Sequence, residues 1–96
     1  MTHYFITRHP GAKDWAKRQN IAIDQWLSHL DTSQVKAGDC VFGNLPIHHA
    51  AEICAKGAHY YHLSLDTPAE SRGKELSADD MQALGARLQL FYISEY

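Results

Sequence analysis

The sequence predicts an α/β fold: a single compact domain over residues 1–96, with about five mostly parallel strands and three helices. Three observations predict it. Apolar, strand-forming runs alternate with helical periodicities along the chain. Cys40 to Leu65 reads as one strand–helix–strand unit, whose crossover is right-handed. Polar turns follow three of the expected strands: Thr7-Arg8-His9, Asn44-Leu45-Pro46-Ile47-His48, and Ser64-Leu65-Asp66.

The first strand runs from about His3 to Thr7, where residues suited to strands alternate. A helix follows from Gly11 to Gln19, with Pro10 suited to its opening turn and Ala12, Trp15, Ala16 and Gln19 at helical spacing. Asp24 to Leu30 returns as a second strand on a weak alternation. Asp31 to Asp39 is a polar connection ending in the turn signal Ala37-Gly38-Asp39.

Cys40-Val41-Phe42-Gly43 is a short buried strand, and Asn44 is placed to cap the next helix. Ile47, Ala50, Ala51 and Cys54 recur at i, i+3, i+4 and i+7 and make its apolar stripe. Gly57 ends that helix, and Ala58 to Leu65 is a strand. Asp66 to Glu75 reads as a mobile polar loop. Ser77 and Asp80 then form a capping box, with Leu76 stapled to Met81. That helix reaches about Gly85, and Leu88 to Tyr96 supplies a closing strand. The assembly is Rossmann-like.

Composition narrows the function. With 45% hydrophobic and 21% charged residues the chain folds rather than staying disordered. A domain this small buries only about 60–65% of its unfolded surface, so a partner copy adds core that the monomer lacks. The net charge of -2 excludes a broadly basic surface and hence long nucleic acid as a partner. Arg8, Lys13, Arg18, Arg72 and Lys74 can still gather at a local anion site. Cys40 and Cys54 read as buried thiols of a reducing compartment. With no signal peptide and no membrane-spanning run, the expected location is the cytoplasm, away from membrane.

The chemistry sits in the turns. If the strands are parallel, their polar turns share one edge of the sheet, and the helix amino-termini face it. Thr7, Arg8, His9, Asn44, His48, Ser64 and Asp66 then converge from distant parts of the chain. Arg8 offers a permanently charged fork for phosphate, against a plain pairing with Asp14 or Glu70. His9 titrates near neutrality and suits proton transfer, against a role as cap of the first helix. His48 is preferred over His49 as a second titrating group. His59 and His62, three apart on one strand, point to opposite faces and read as structural or surface groups. Arg72 and Lys74 flank Gly73 in a loop able to close over an anion. Trp15 and Trp26 read as core, and one of Tyr60 and Tyr61 is buried. No His or Cys spacing marks a metal site, and there is no glycine-rich nucleotide loop, so no metal and no cofactor is expected.

Tyr4-Phe5-Ile6-Thr7-Arg8-His9-Pro10-Gly11-Ala12, with Trp15 following, resembles the opening of a small stand-alone CRISPR-associated family, catalogued as Csx sixteen and found beside type III systems. The resemblance continues through His29-Leu30-Asp31, Gly38-Asp39, Gly43-Asn44-Leu45-Pro46 and His62-Leu63-Ser64-Leu65-Asp66. It ends with Pro68-Ala69-Glu70, Arg72-Gly73-Lys74-Glu75-Leu76-Ser77 and Gly85-Ala86-Arg87, covering nearly the whole chain. It implies a ring nuclease that linearises cyclic oligoadenylate, chiefly cyclic tetra-adenylate, and so switches off type III signalling. It also implies a Rossmann-like (CARF-like) domain acting as a homodimer without a metal.

The residues suit that chemistry. The ribose 2′-hydroxyl attacks the adjacent phosphate and leaves a 2′,3′-cyclic phosphate. Arg8 clamps the charged phosphorane, with Arg72 or Lys74 closing from the loop, and His9 or His48 moves the proton. Thr7, Asn44, Ser64 and Asp66 bind and orient the nucleotide. One alternative is a binding module that holds the messenger without cutting it. Another is a small phosphohydrolase centred on His9, because Arg8-His9-Pro10-Gly11 is similar to the R-H-G start of histidine phosphatases. There Pro10 interrupts the triplet, and the chain is too short for such a domain.

Overall fold

The structure is a computed structural model that describes residues 1–68 and 73–96. In chain order it has β1 (His3–Ile6), α1 (Pro10–Lys17), β2 (Gln25–Leu27), a 3-10 turn (Thr32–Gln34), β3 (Cys40–Gly43), α2 (Ile47–Ala55), β4 (His59–Ser64), α3 (Ala78–Ala83) and β5 (Arg87–Phe91). The strands form one five-stranded sheet in the order β2-β1-β3-β4-β5. β2, β1, β3 and β4 are parallel, and β5 runs antiparallel to β4. This is the α/β, mostly parallel architecture that the strand–helix alternation predicts.

Strand alternation divides the core between the two faces of the sheet. Tyr4, Ile6, Val41 and Tyr60 pack with Ala50, Ile53 and Cys54 of α2. Phe5, Phe42 and Leu63 pack with Ala12, Trp15 and Ala16 of α1 and with Ala78 and Met81 of α3. Phe5, Val41 and Ile53 have no exposed surface, and each such side chain contributes about 1.5–3 kcal/mol by leaving water. On the second face α1 and α3 are tied by Trp15 Nε1 donating to Gln82 Oε1 at 3.0 Å and by Arg18 Nη1 at 2.6 Å from Asp79 Oδ1.

Several local expectations shift. The first strand stops at Ile6, and α1 begins at Pro10 and ends at Lys17. The second strand contracts to Gln25–Leu27, pinned at its two ends by Asp24 N–H donating to His3 O and Thr7 N–H donating to Leu27 O, both 2.9 Å. Ile47 leaves the stripe of α2 and is 72% exposed; Leu45 packs on that core instead. Asn44 does not cap α2, whose N-cap is Pro46 with no side-chain cap. The closing strand is Arg87–Phe91 rather than Leu88–Tyr96. Phe91 pairs with Tyr60, one residue from the start of β4, so the ladder runs out there. Trp26 is half-buried, packed against Phe5 with rings tilted by 33° and centroids 5.1 Å apart, with the Lys13 and Lys17 amines each 5.7 Å from its ring centre.

The capping box at α3 is present: Ser77 Oγ accepts from Asp80 N–H, and Asp80 Oδ2 accepts from Ser77 N–H. Both thiols are free and buried. Among the described residues no helix is long and apolar enough to cross a membrane. Arg72, with the middle of the expected mobile loop, lies outside the described residues.

Two glycines separate backbone strain from crowding. Gly43 ends β3 at φ +129°, and a Cβ there would stand 2.2 Å from Ile6 O. Gly38 has φ +88° with nothing within 4 Å of such a Cβ. Thermal denaturation should therefore show Gly38→Ala costing about 1 kcal/mol and Gly43→Ala costing at least about 3 kcal/mol, strain and overlap combined.

Asp39 is buried and accepts from the backbone N–H groups of Thr2 and Lys36, each at 2.9 Å. These bonds hold its carboxyl below the ordinary value of an aspartate in the unfolded chain. Its contribution is thus complete above that unfolded value and is lost as pH falls through the lower folded one. Asp39→Asn should lower the melting temperature at neutral pH and flatten this part of the acid limb. An unchanged acid limb would assign the loss to other carboxylates.

Candidate functional site

Parallel pairing brings the carboxyl ends of β1, β3 and β4 to one edge. β1 lies between β2 and β3, so the chain's progress across the sheet reverses there. In open α/β sheets the crevice outside the strand ends at such a reversal is the usual ligand site. Because Gly43 carries no Cβ, β3 closes on Ile6 at the base of that crevice.

The turn after β1 is held locally. Thr7 Oγ1 accepts from His9 N–H at 3.1 Å, and His9 O accepts from the N–H groups of Ala12 and Lys13. His9 is the N-cap residue of α1 without a side-chain cap bond. Its ring is therefore turned elsewhere: Nδ1 lies 3.3 Å from Glu75 Oε1. Arg8 and His9 are both exposed. The pairing of Arg8 with Asp14 does not occur among the ion pairs of the described residues, and Glu70 lies outside those residues.

A pocket of about 230 Å³ opens beside this turn. His9, Asn44, Lys74 and Glu75 supply its polar groups, and Leu63, Leu76 and Met81 are among its apolar walls. One wall is set by a close approach, since a Cβ on Gly11 would stand 1.8 Å from Leu76 O. Three expected site residues, His9, Asn44 and Lys74, are thus brought together from three parts of the chain. Thr7 supports the same turn, and Arg8 sits in it.

The others go elsewhere. His48 lines a separate groove with Ile47, Glu52, Tyr92 and Glu95, and its ring lies 4.3 Å from that of His49. It misses the pocket because its helix crosses the opposite face of the sheet. Ser64 is half-buried at the end of β4, in register with Arg87. Strand alternation sends Leu63 toward the pocket and Ser64 away from it. Asp66 Oδ2 is engaged by Arg87 Nη1 at 3.5 Å, and its backbone N–H donates to Leu84 O. Among the described residues no group of three or more His, Cys, Asp or Glu is arranged to hold a metal ion.

The sequence reading gave His62 a structural or surface role, and the structure places it in a polar group. Tyr60, only 1% exposed, places its hydroxyl 2.7 Å from His62 Nδ1, 3.0 Å from Leu45 N and 3.2 Å from Gly43 O. Burial pushes that phenol above 10.0, so it keeps its proton. Asn44 Nδ2 donates to Leu63 O at 2.9 Å and stands 3.5 Å from His62 Nε2. Asn44 therefore borders both the pocket and this chain of polar groups. The available signal was the two-residue spacing of Tyr60 and His62, which puts both on one face of a strand.

A family profile described as "Putative CRISPR-associated protein (Cas_VVA1548)" matches residues 4–94. No curated protein and no solved structure matches the chain.

The Gly11 contact makes the pocket wall testable. Gly11→Ala should force Leu76 outward, costing about 2–3 kcal/mol in denaturant unfolding and altering the fluorescence of Trp15, which is tied to α3. An unchanged midpoint and spectrum would show that the wall does not rest on this approach.

Proposed function

The chain belongs to this CRISPR-associated family, and from that premise we propose that it is a ring nuclease for cyclic oligoadenylate, chiefly cyclic tetra-adenylate. The observation that carries the reading is the meeting of His9, Asn44 and Lys74 in one pocket beside Arg8, at the reversal point of a parallel sheet. A phosphodiester needs cationic donors that do not reorganise, and Arg8 and Lys74 supply them from two connections. The reaction supplies its own nucleophile: the ribose 2′-hydroxyl attacks the adjacent phosphorus, and the 5′-oxygen departs. Holding these atoms in line is worth ~7–11 kcal/mol in favourable cases. His9 in its protonated form gives the departing oxygen its proton, and Asn44 orients the nucleotide.

A second copy completes the site. The pocket of about 230 Å³ is below the ~300–1,000 Å³ of ordinary small-molecule sites, and a ring of four nucleotides is larger still. A twofold dimer presents the same edge twice, matching the twofold axis of the ring.

Labelled cyclic tetra-adenylate incubated with the protein in excess chelator should give linear di-adenylate bearing a cyclic phosphate. Arg8→Ala should slow this by ~10²–10³-fold, as loss of one charge-stabilising donor does. An intact ring that co-elutes with the protein would replace the nuclease with a messenger-binding module.

A further inference from the structure

We propose that His62 is the proton acceptor of this site: its Nε2 takes the proton of the attacking ribose 2′-hydroxyl. The inference rests on the ring-nuclease reading and adds to it a residue that stands apart from the His9 pocket wall.

Asn44 orients the imidazole: its Nδ2 donates one hydrogen to Leu63 O and stands 3.5 Å from His62 Nε2, so Nε2 is the accepting nitrogen and Nδ1 faces Tyr60. The phenol has one proton to give and two lone pairs to receive. Leu45 N–H donates to it at 3.0 Å. Gly43 O, 3.2 Å away, can only accept. If Tyr60 gives its proton to Gly43 O, then His62 Nδ1, at 2.7 Å, must be the donor to Tyr60. His62 Nε2 then carries the lone pair, which faces the Asn44 Nδ2 amide. Every group is satisfied in this arrangement. In the opposite tautomer Nε2–H is set against the N–H groups of Asn44.

The two ring nitrogens differ in how firmly they are held. Nδ1 sits in a 2.7 Å contact with a buried phenol, whereas Nε2 has only a 3.5 Å contact with an amide that already donates to Leu63 O. A better donor, such as a sugar hydroxyl, displaces that long contact readily. Among the groups meeting the ring, Tyr60 of β4 is the titratable one. Asn44 comes from the turn after β3, Phe91 of β5 packs edge-on at 6.1 Å, and Gln89 is the partner in register. No carboxylate of the described residues pairs with it. By comparison His9 has its Nδ1 against Glu75, and His48 lies in another groove.

The step conserves atoms and needs no added reagent. The O2′ proton passes to His62 Nε2, the O2′–P bond forms, and the P–O5′ bond breaks. The departing O5′ takes a proton from the His9 imidazolium, and the product is a linear strand ending in a 2′,3′-cyclic phosphate.

Two measurements on the full chain test this. In protein labelled with nitrogen-15 at histidine, the neutral His62 ring should show a protonated Nδ1 and a bare Nε2, and Tyr60→Phe should move it toward the Nε2–H form. A wild-type ring protonated at Nε2 would overturn the assignment, whether or not the Tyr60 variant folds. In single-turnover cleavage of cyclic tetra-adenylate, His62→Gln should lower the rate by ~10²–10⁴-fold with ring binding retained. It should also abolish the rise of rate with pH that a titrating base gives. His59→Gln, at the far end of the same strand, should leave both unchanged. If the wild type cleaves and His62→Gln cleaves equally fast, the role of His62 fails while the ring-nuclease reading stands. If the wild type leaves the ring intact, both fail.

Discussion

The site depends on how closely β3 can approach β1. Where a side chain would begin on Gly43, Ile6 O stands 2.2 Å away, so this pairing excludes every residue with a Cβ. The contact joins the two central strands on either side of the reversal in strand order. It also fixes where each strand stops: Ile6 opposite Gly43, with Gly43 opposite His62 on β4. The residues that follow, Thr7-Arg8-His9 on one side and Asn44-Leu45 on the other, leave the sheet at one height. Their convergence follows from backbone packing, which is stiffer than any set of surface side chains.

Asn44 then joins two environments. Its residue borders the pocket of the α1 and α3 face, while its amide reaches Leu63 O and the ring of His62, which lies with Tyr60 on the α2 face. Tyr60 anchors this second group because burial removes any choice of ionisation state. A buried phenol with a backbone donor at Leu45 and a backbone acceptor at Gly43 can pass its proton to Gly43 O and receive one from His62 Nδ1. Rigid groups on both sides thus orient the ring of His62. The exposed His9, resting on an exposed carboxylate, has no such constraint.

Much of the fold was legible because alternation and helical spacing report burial directly. The Cys40–Leu65 unit, the buried Trp15 and the capping box at Ser77 all rest on local physics, and each is present. The misses share a cause in tertiary context. Ile47 satisfies the spacing of a stripe, yet it is exposed while Leu45 packs on that core. Asn44 has the chemistry of a cap, yet Leu63 O is a nearer use for its amide. Strand-end position brings His9 and Asn44 to one pocket, as the sequence reading expects, but not Ser64, which alternation turns away. His48 was lost because its helix lies on the other face. His62 was read as a structural or surface group; the phenol and amide that engage its ring lie on other residues, and no spacing argument weighs hydrogen-bond supply and demand.

A small domain faces a conflict in building such a site. A buried core of two thin layers leaves little depth for a cavity, so polar groups must gather beyond the strand ends, where water competes for each of them. A hydrogen bond offered there is worth little unless its partner is held still. The sheet supplies that rigidity in two ways: through the backbone of the turn at Thr7–His9, and through the buried hydroxyl of Tyr60 behind His62. What it does not supply is enclosure. A shallow edge excludes water only when something covers it, and the proposed twofold dimer would supply a second edge of the same shape. On the proposed ring-nuclease reading, catalysis and self-association would be linked, because charged groups at one edge would act strongly on phosphate only once the other edge displaced the solvent between them.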